Sequence, residues 1–121
     1  MEANPLFVAA FNVDDARLAE FEEWYRTRHV PAGLSVPHFT RVVRYEKHPR
    51  EMPLLESGPR FLNIYVIDSA ESVEAAWMSK EREAASEDFF RWGDALSAGV
   101  QGIYLPTAVV ERKERTRWQI K

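Results

Sequence analysis

The chain contains no cysteine among its 121 residues. That excludes disulfides, zinc–thiolate sites and cysteine nucleophiles, and it permits a reducing compartment. Long apolar runs are missing too. The N-terminal MEANPLFVAAFN has no basic region, and its apolar stretch LFVAAF is too short for a signal peptide or a membrane span. A cytoplasmic protein with no membrane partner is expected. No charge of one sign dominates: 16 basic and 19 acidic side chains leave a net charge of -3. A general nucleic-acid partner is therefore not expected. The sequence has no HExxH, no glycine-rich phosphate loop and no GxSxG elbow, which argues against nucleotide use and serine hydrolysis. His29, His38 and His48 fall on a helix end, a turn and a loop at spacings that match no ligand motif. Neither a metal nor an organic cofactor is expected.

What is present is ordinary in amount and unusual in kind. A hydrophobic share of 45% and a charged share of 29% fit one globular domain over residues 1–121, long enough to bury a core without staples. Aromatic content of 12%, with four tryptophans, is high for a small acidic domain. That ring surface must be core, interface or pocket.

Leu6–Asn12 reads as a buried strand. Asp14 or Asp15 caps a following helix. On that helix Leu18, Phe21, Tyr25 and either His29 or Val30 recur at spacings of three and four, giving an aromatic face that Pro31 and Gly33 bring to an end. Phe39–Lys47 alternates as a second strand, and the segment from His48 to Arg60, with three prolines, is a loop. Phe61–Asp68 is a third strand, with Leu62, Ile64 and Val66 on one face and Phe61, Asn63, Tyr65 and Ile67 on the other. A second helical region over 69–99 is expected to break near Ala85–Ser86, and Val100–Arg112 is read as a last strand with Pro106 marking a bulge or edge. The order β-α-β-β-α-β is the ferredoxin-like arrangement of the α+β class: one antiparallel sheet with helices on one face. The other face, assigned Phe61, Asn63, Tyr65, Arg41, Val43 and Tyr45, is too apolar for water. A second copy of the sheet covering it would make a homodimer.

Tyr25 and His29 lie four apart on one helix face. An imidazole is poised to give or take a proton near neutral pH, and a neighbouring phenol can orient it or hold a substrate oxygen. These two are the catalytic candidates. The competing reading makes His29 a helix-end residue bonded to free carbonyls, and Tyr25 part of the core. Asn63 and Tyr65 share a covered strand face and must find polar partners, in a ligand or across a dimer. Asn12 at the end of the first strand, Trp24, Phe90 and Trp92 complete the substrate-binding candidates. Turn capping competes at Asn12, and core packing competes at the rings. Arg44 suits either a substrate carboxylate or an ion pair with Glu46 or Glu23. The basic tail over 112–121 carries Trp118 and Ile120, which suggests docking on a partner subunit.

The stretch Glu20–Tyr45 carries a resemblance as well. Trp24-Tyr25, His29-Val30-Pro31, Val36-Pro37-x-Phe39 and Arg44-Tyr45 resemble the dimeric α/β-barrel superfamily, and within it EthD-like small proteins. The resemblance implies that the histidine helix faces a pocket between sheet and helices, and that two subunits join their sheets into a barrel. Where the group usually has glycine after the second proline, this chain has His38. The superfamily spans monooxygenases, isomerases, polyketide cyclases, lyases, dehydratases and haem-degrading proteins, so it limits the fold far more than the chemistry. The expected function is a small-molecule enzyme. It would use proton transfer, of dehydratase, cyclase, isomerase or lyase type, on an apolar, aromatic or polyketide-like compound with a carbonyl or hydroxyl. A cofactor-free monooxygenase and a non-catalytic ligand-binding or accessory protein are the alternatives.

Overall fold

Alternation places the first strand. β1 (Leu6–Val13) buries Phe7, Ala9, Phe11 and Val13 and leaves the residues between them on the opposite face. A computed structural model describes residues 3–55 and 58–112. The expected tail contacts of Trp118 and Ile120 lie outside the described residues. After β1 the Asp14 side chain caps a short 3-10 turn, Asp15–Arg17, which leads into α1 (Leu18–Trp24). The helical path continues through a π-helical turn, Tyr25–His29, into α2 (Val30–Leu34). Pro31 therefore does not end the helix. Proline lacks an N–H, and its ring crowds the carbonyl four residues back. The chain accommodates it in a widened turn, in which the Val30 N–H bonds the Tyr25 carbonyl five residues earlier.

β2 (Phe39–Glu46) and β3 (Phe61–Ile67) follow. The second helical region breaks earlier than the sequence suggested, at Met78–Ser79. α3 (Val73–Trp77) stops there, and Ser79, in an extended conformation, accepts the Arg82 N–H at 3.1 Å to start α4 (Lys80–Phe90). Ala85 and Ser86 lie inside α4, where Ala85 is buried. β4 also begins earlier, at Leu96, and ends at Tyr104, so Pro106 falls beyond it. The last strand's first residues pair with Asn12 and Val13. Its irregularity sits at Ala98, whose φ of 53° coincides with a register slip opposite Ala10–Asn12.

The sheet has the order β2-β3-β1-β4 with every pairing antiparallel. It matches the expected ferredoxin-like arrangement. The face assignment of β3 is corrected. Phe61, Asn63, Tyr65 and Ile67 lie under the helices, and Leu62, Ile64 and Val66 face away. Period-two alternation separates two faces without saying which one the helices take. Pairing settles it, because Phe7 stands opposite Tyr65 and Phe11 opposite Phe61, and these rings form one buried layer. Arg41, Val43 and Tyr45 do lie on the open face. There Val8, Ile64 and Val43 align across three strands, flanked by Leu6, Val66, Leu62 and Tyr104.

Gly33 sets how closely α2 approaches the sheet. A Cβ there would stand 3.0 Å from Cε1 of Tyr65 and 3.8 Å from Val42. Glycine lets the helix rest directly on the Tyr65 ring. His38, at the position where the resembling group has glycine, adopts a left-handed backbone with φ 71°. Its Nδ1 sits 2.9 Å from Asp68, and this contact holds the Asp68 carboxyl below the usual range. His38 is thus a turn residue and does not line the pocket.

Candidate functional site

The π-helical turn brings its two singled-out residues inside. Tyr25 is 6% exposed and His29 5% exposed, with ring centroids 5.5 Å apart. The hydroxyl that meets His29 belongs to another element. The Tyr65 Oη on β3 lies 2.5 Å from His29 Nε2, and the Tyr25 hydroxyl has no hydrogen-bond partner among the described residues. With the Tyr65 hydroxyl as donor, the imidazole proton sits on Nδ1, which is also buried and without a partner there. Asn63 is fully buried beside Tyr65, and neither atom of its amide is paired among the described residues.

These orphaned atoms are the outstanding feature of the interior. A buried polar group without a partner costs about 1–3 kcal/mol, and native folds keep few of them. Here several gather in one layer, on Tyr25, His29 and Asn63. The surroundings are aromatic. The Trp24 ring stacks on the imidazole at 5.0 Å with an interplanar angle of 27°, and Phe89 lies 5.5 Å away.

Burial decides the protonation states. It pushes His29 down from its ordinary 6.5 to about 4, against an opposing pull from the Asp88 carboxylate. The imidazole is therefore neutral at pH 7. Burial pushes the Tyr25 phenol up to about 12, which the Arg44 charge partly offsets and Glu22 reinforces. Tyr65 is raised further, first by burial and then by the neighbouring Tyr25. The Asn63 amide pulls the other way without reaching hydrogen-bond geometry. The resting site is thus a neutral imidazole between two neutral phenols.

Two charged arrangements flank it. The Trp24 indole N–H donates to Asp88 on α4 at 3.0 Å, so one residue both stacks on His29 and fixes the carboxylate that acts on it. Arg44 forms a bidentate pair with Glu22, both contacts at 2.6 Å, in place of the expected Glu46 or Glu23. Its guanidinium lies 4.5 Å from the Tyr25 ring centroid and 4.3 Å from that of Phe61.

The cavity at His29 is lined by Phe7, Phe39, Tyr65, Arg82 and Phe89 among others and encloses about 30 Å³. That is room for roughly two waters. The expected site residues divide between this cavity and other places. His29 and Tyr65 line it; Tyr25, Trp24 and Asn63 pack behind them. Asn12 does not reach it, because its Oδ1 accepts the Arg60 backbone N–H at 2.7 Å. Trp92 packs against Phe21 and Trp24 with Arg17 over its face. Phe90 is 58% exposed and lines a separate groove. Arg82 and Ser86 also line the cavity, and helical periodicity does not reveal them because their approach depends on the Ser79 break that orients α4. Gln101 depends similarly on the true start of β4. Among the described residues no group of three or more His, Asp or Glu side chains is placed to hold a metal ion. No helix there is long and apolar enough to cross a membrane.

The buried histidine–tyrosine pair lies between helices and the antiparallel sheet of an α+β fold of the ferredoxin-like class. Solved structures share it. An EthD-family protein from Bacillus halodurans superposes with a TM-score of 0.64 at 19% identity, covering 85% of this chain and 99% of its own. SnoaB, a cofactor-independent oxygenase from Streptomyces nogalater, gives 0.60 at 17% identity over 91% of this chain and 100% of its own. A dimeric ferredoxin-like protein from Thermobifida fusca gives 0.55 at 13% identity over 86% and 92%. No protein-family model matches the sequence, and no curated protein matches it. These likenesses meet the resemblance read from Trp24 to Tyr45 at the level of the fold.

Proposed function

We propose that this protein is a small-molecule enzyme in which His29 and Tyr65 act together on a carbonyl compound, with Tyr25 as a second hydroxyl and Asn63 as an amide anchor. The observation that carries the reading is the cluster of buried polar atoms without partners among the described residues around one neutral imidazole. When a carbonyl group enters, the Tyr65 hydroxyl turns its proton to the carbonyl oxygen and releases the Nε2 lone pair. The imidazole then takes the proton from the adjacent carbon. The electron pair moves onto the carbonyl oxygen, and the enolate is held by the phenolic hydrogen bond. The imidazolium formed faces the Asp88 carboxylate and the Trp24 ring, both of which favour positive charge. Returning the proton to another carbon gives isomerisation; passing it from the imidazolium to a β-hydroxyl, which leaves the enolate as water, gives dehydration.

Hydrogen–deuterium exchange at the α-carbon tests this. Cyclic aryl ketones such as 2-tetralone, incubated in D2O with the protein, should exchange well above the buffer rate, and His29→Gln should bring exchange down by at least 100-fold. A panel of such ketones with no exchange above buffer would overturn the reading.

A second reading is cofactor-free oxygenation, favoured by the apolar ring cage and by the fold shared with SnoaB, a cofactor-independent oxygenase. The same enolate would pass electrons to molecular oxygen. Oxygen consumption coupled to turnover separates the two. We further propose that two copies join through the open sheet face, as the dimeric description of the Thermobifida fusca structure suggests.

A further inference from the structure

The His29 cavity of about 30 Å³ has no room for a ring-sized molecule, yet a larger space adjoins it. A groove of about 390 Å³ runs between β4, β1 and α4. Ala9, Phe89 and Gln101 line both the cavity and the groove. Phe89 therefore stands between them, 5.5 Å from the imidazole on one side and edge-on to Phe90 at 5.6 Å on the other. Small-molecule sites usually occupy about 300–1,000 Å³. The groove reaches that size, and the inner cavity alone does not.

Its form comes from the strand. The left-handed Ala98 and the register slip opposite Ala10–Asn12 bend β4 where the groove opens, as bulges do beside binding sites. Gly99 follows, and a Cβ placed on it would meet nothing within 4 Å among the described residues. The walls are Phe11, Phe89, Phe90 and Leu96, with Ser97 and Gln101 supplying the polar side chains and no charged side chain among the lining residues. Phe90 is 58% exposed at the rim.

We infer that the groove is the outer chamber of one ligand site shared with His29, that Phe89 is the partition between the chambers, and that the occupant is a neutral, planar aromatic molecule bearing a hydroxyl or carbonyl group. Only the assignment of the inner end rests on the proposed proton transfer. Ring walls without charge select a flat apolar body. Gln101 at the junction offers a donor and an acceptor to the molecule's oxygen, and the orphaned atoms around His29 receive its reacting end.

Fluorescence titration of the full chain with N-phenyl-1-naphthylamine, a neutral aromatic probe, tests the groove. Saturable binding is expected, and Gly99→Leu, which fills open space, should weaken it at least tenfold with the melting temperature unchanged. Intermolecular NOEs from the probe to the Gly99 and Gln101 amides are expected in the unmodified protein, so the test does not depend on one variant. Probe binding that Gly99→Leu leaves unaltered, or NOEs confined to other surfaces, overturns the inference. Binding that Gly99→Leu removes, in a protein that exchanges no ketone α-protons, keeps the groove and defeats only the proposed chemistry.

Discussion

The Tyr65 hydroxyl and His29 Nε2 meet at 2.5 Å although 36 residues separate them in sequence. One comes from the middle of β3 and the other from the end of a π-helical turn. The contact depends on three local features: the widened turn before Pro31, the bare Gly33 on the Tyr65 ring, and the sheet pairing that puts Tyr65 under the helices. Each has consequences that can be measured.

The neutral state of His29 makes the fold sensitive to acid. Its folded value of about 4 lies below the ordinary 6.5, so the unfolded chain binds a proton that the folded chain refuses. The stabilisation is complete above pH 6.5, declines as the pH falls, and is gone by about pH 4. It amounts to about 3 kcal/mol. Urea unfolding at pH 7 and pH 4 should show this loss in the wild type and a smaller one in His29→Gln. Equal losses would mean that His29 is not held neutral by burial.

Asp88 is the charge that opposes the depression of His29. Asp88→Asn should lower the imidazole's titration further while keeping an acceptor for the Trp24 N–H. Following the His29 ring signals by NMR against pH reads the shift directly. An unchanged midpoint would detach Asp88 and Trp24 from the site's electrostatics.

Gly33→Ala adds a methyl group 3.0 Å from the Tyr65 ring. Overpacking of this kind costs about 1–3 kcal/mol, and the ring must move away from α2. The expected result is a lower melting temperature together with a ketone-exchange rate reduced at least tenfold. A stable variant with full activity would show that the Tyr65 position is not critical.

Ile64 lies at the centre of the open sheet face between Val8 and Val43. If a second copy covers this face, Ile64→Lys places an unpaired charge in the interface. Light scattering at micromolar concentration should give a dimer for the wild type and a monomer for the variant. A wild-type monomer would contradict the proposed assembly.

Much of this arrangement could be read from the residues. Strand alternation and helical periodicity located β1, the first helix, β2 and β3, and their order fixed the sheet. A spacing of four on one helix face marked Tyr25 and His29 as a pair. Other features depend on contacts that periodicity does not encode. The two faces of β3 alternate identically, and it is the pairing of Phe7 with Tyr65 that identifies the partner of His29. Proline usually ends a helix, and nothing in the local sequence announces a π-helical turn. Ser79 carried a capping signal that the alanine-rich run around Ala85 obscured. The start of β4 is set by its pairing with Asn12 and Val13, which a run containing Ser97, Gly99 and Gly102 does not advertise.

The proposed chemistry requires His29 and Tyr65 to act as one unit, and a double-mutant cycle on α-proton exchange measures that most directly. Exchange rates for 2-tetralone would be compared in wild type, His29→Gln, Tyr65→Phe and the combined variant. Groups that act together lose activity non-additively. Each single substitution should reduce exchange at least 100-fold, and the double variant should be little worse than either. Additive losses, or a Tyr65→Phe variant with wild-type exchange, would contradict a shared role for the pair.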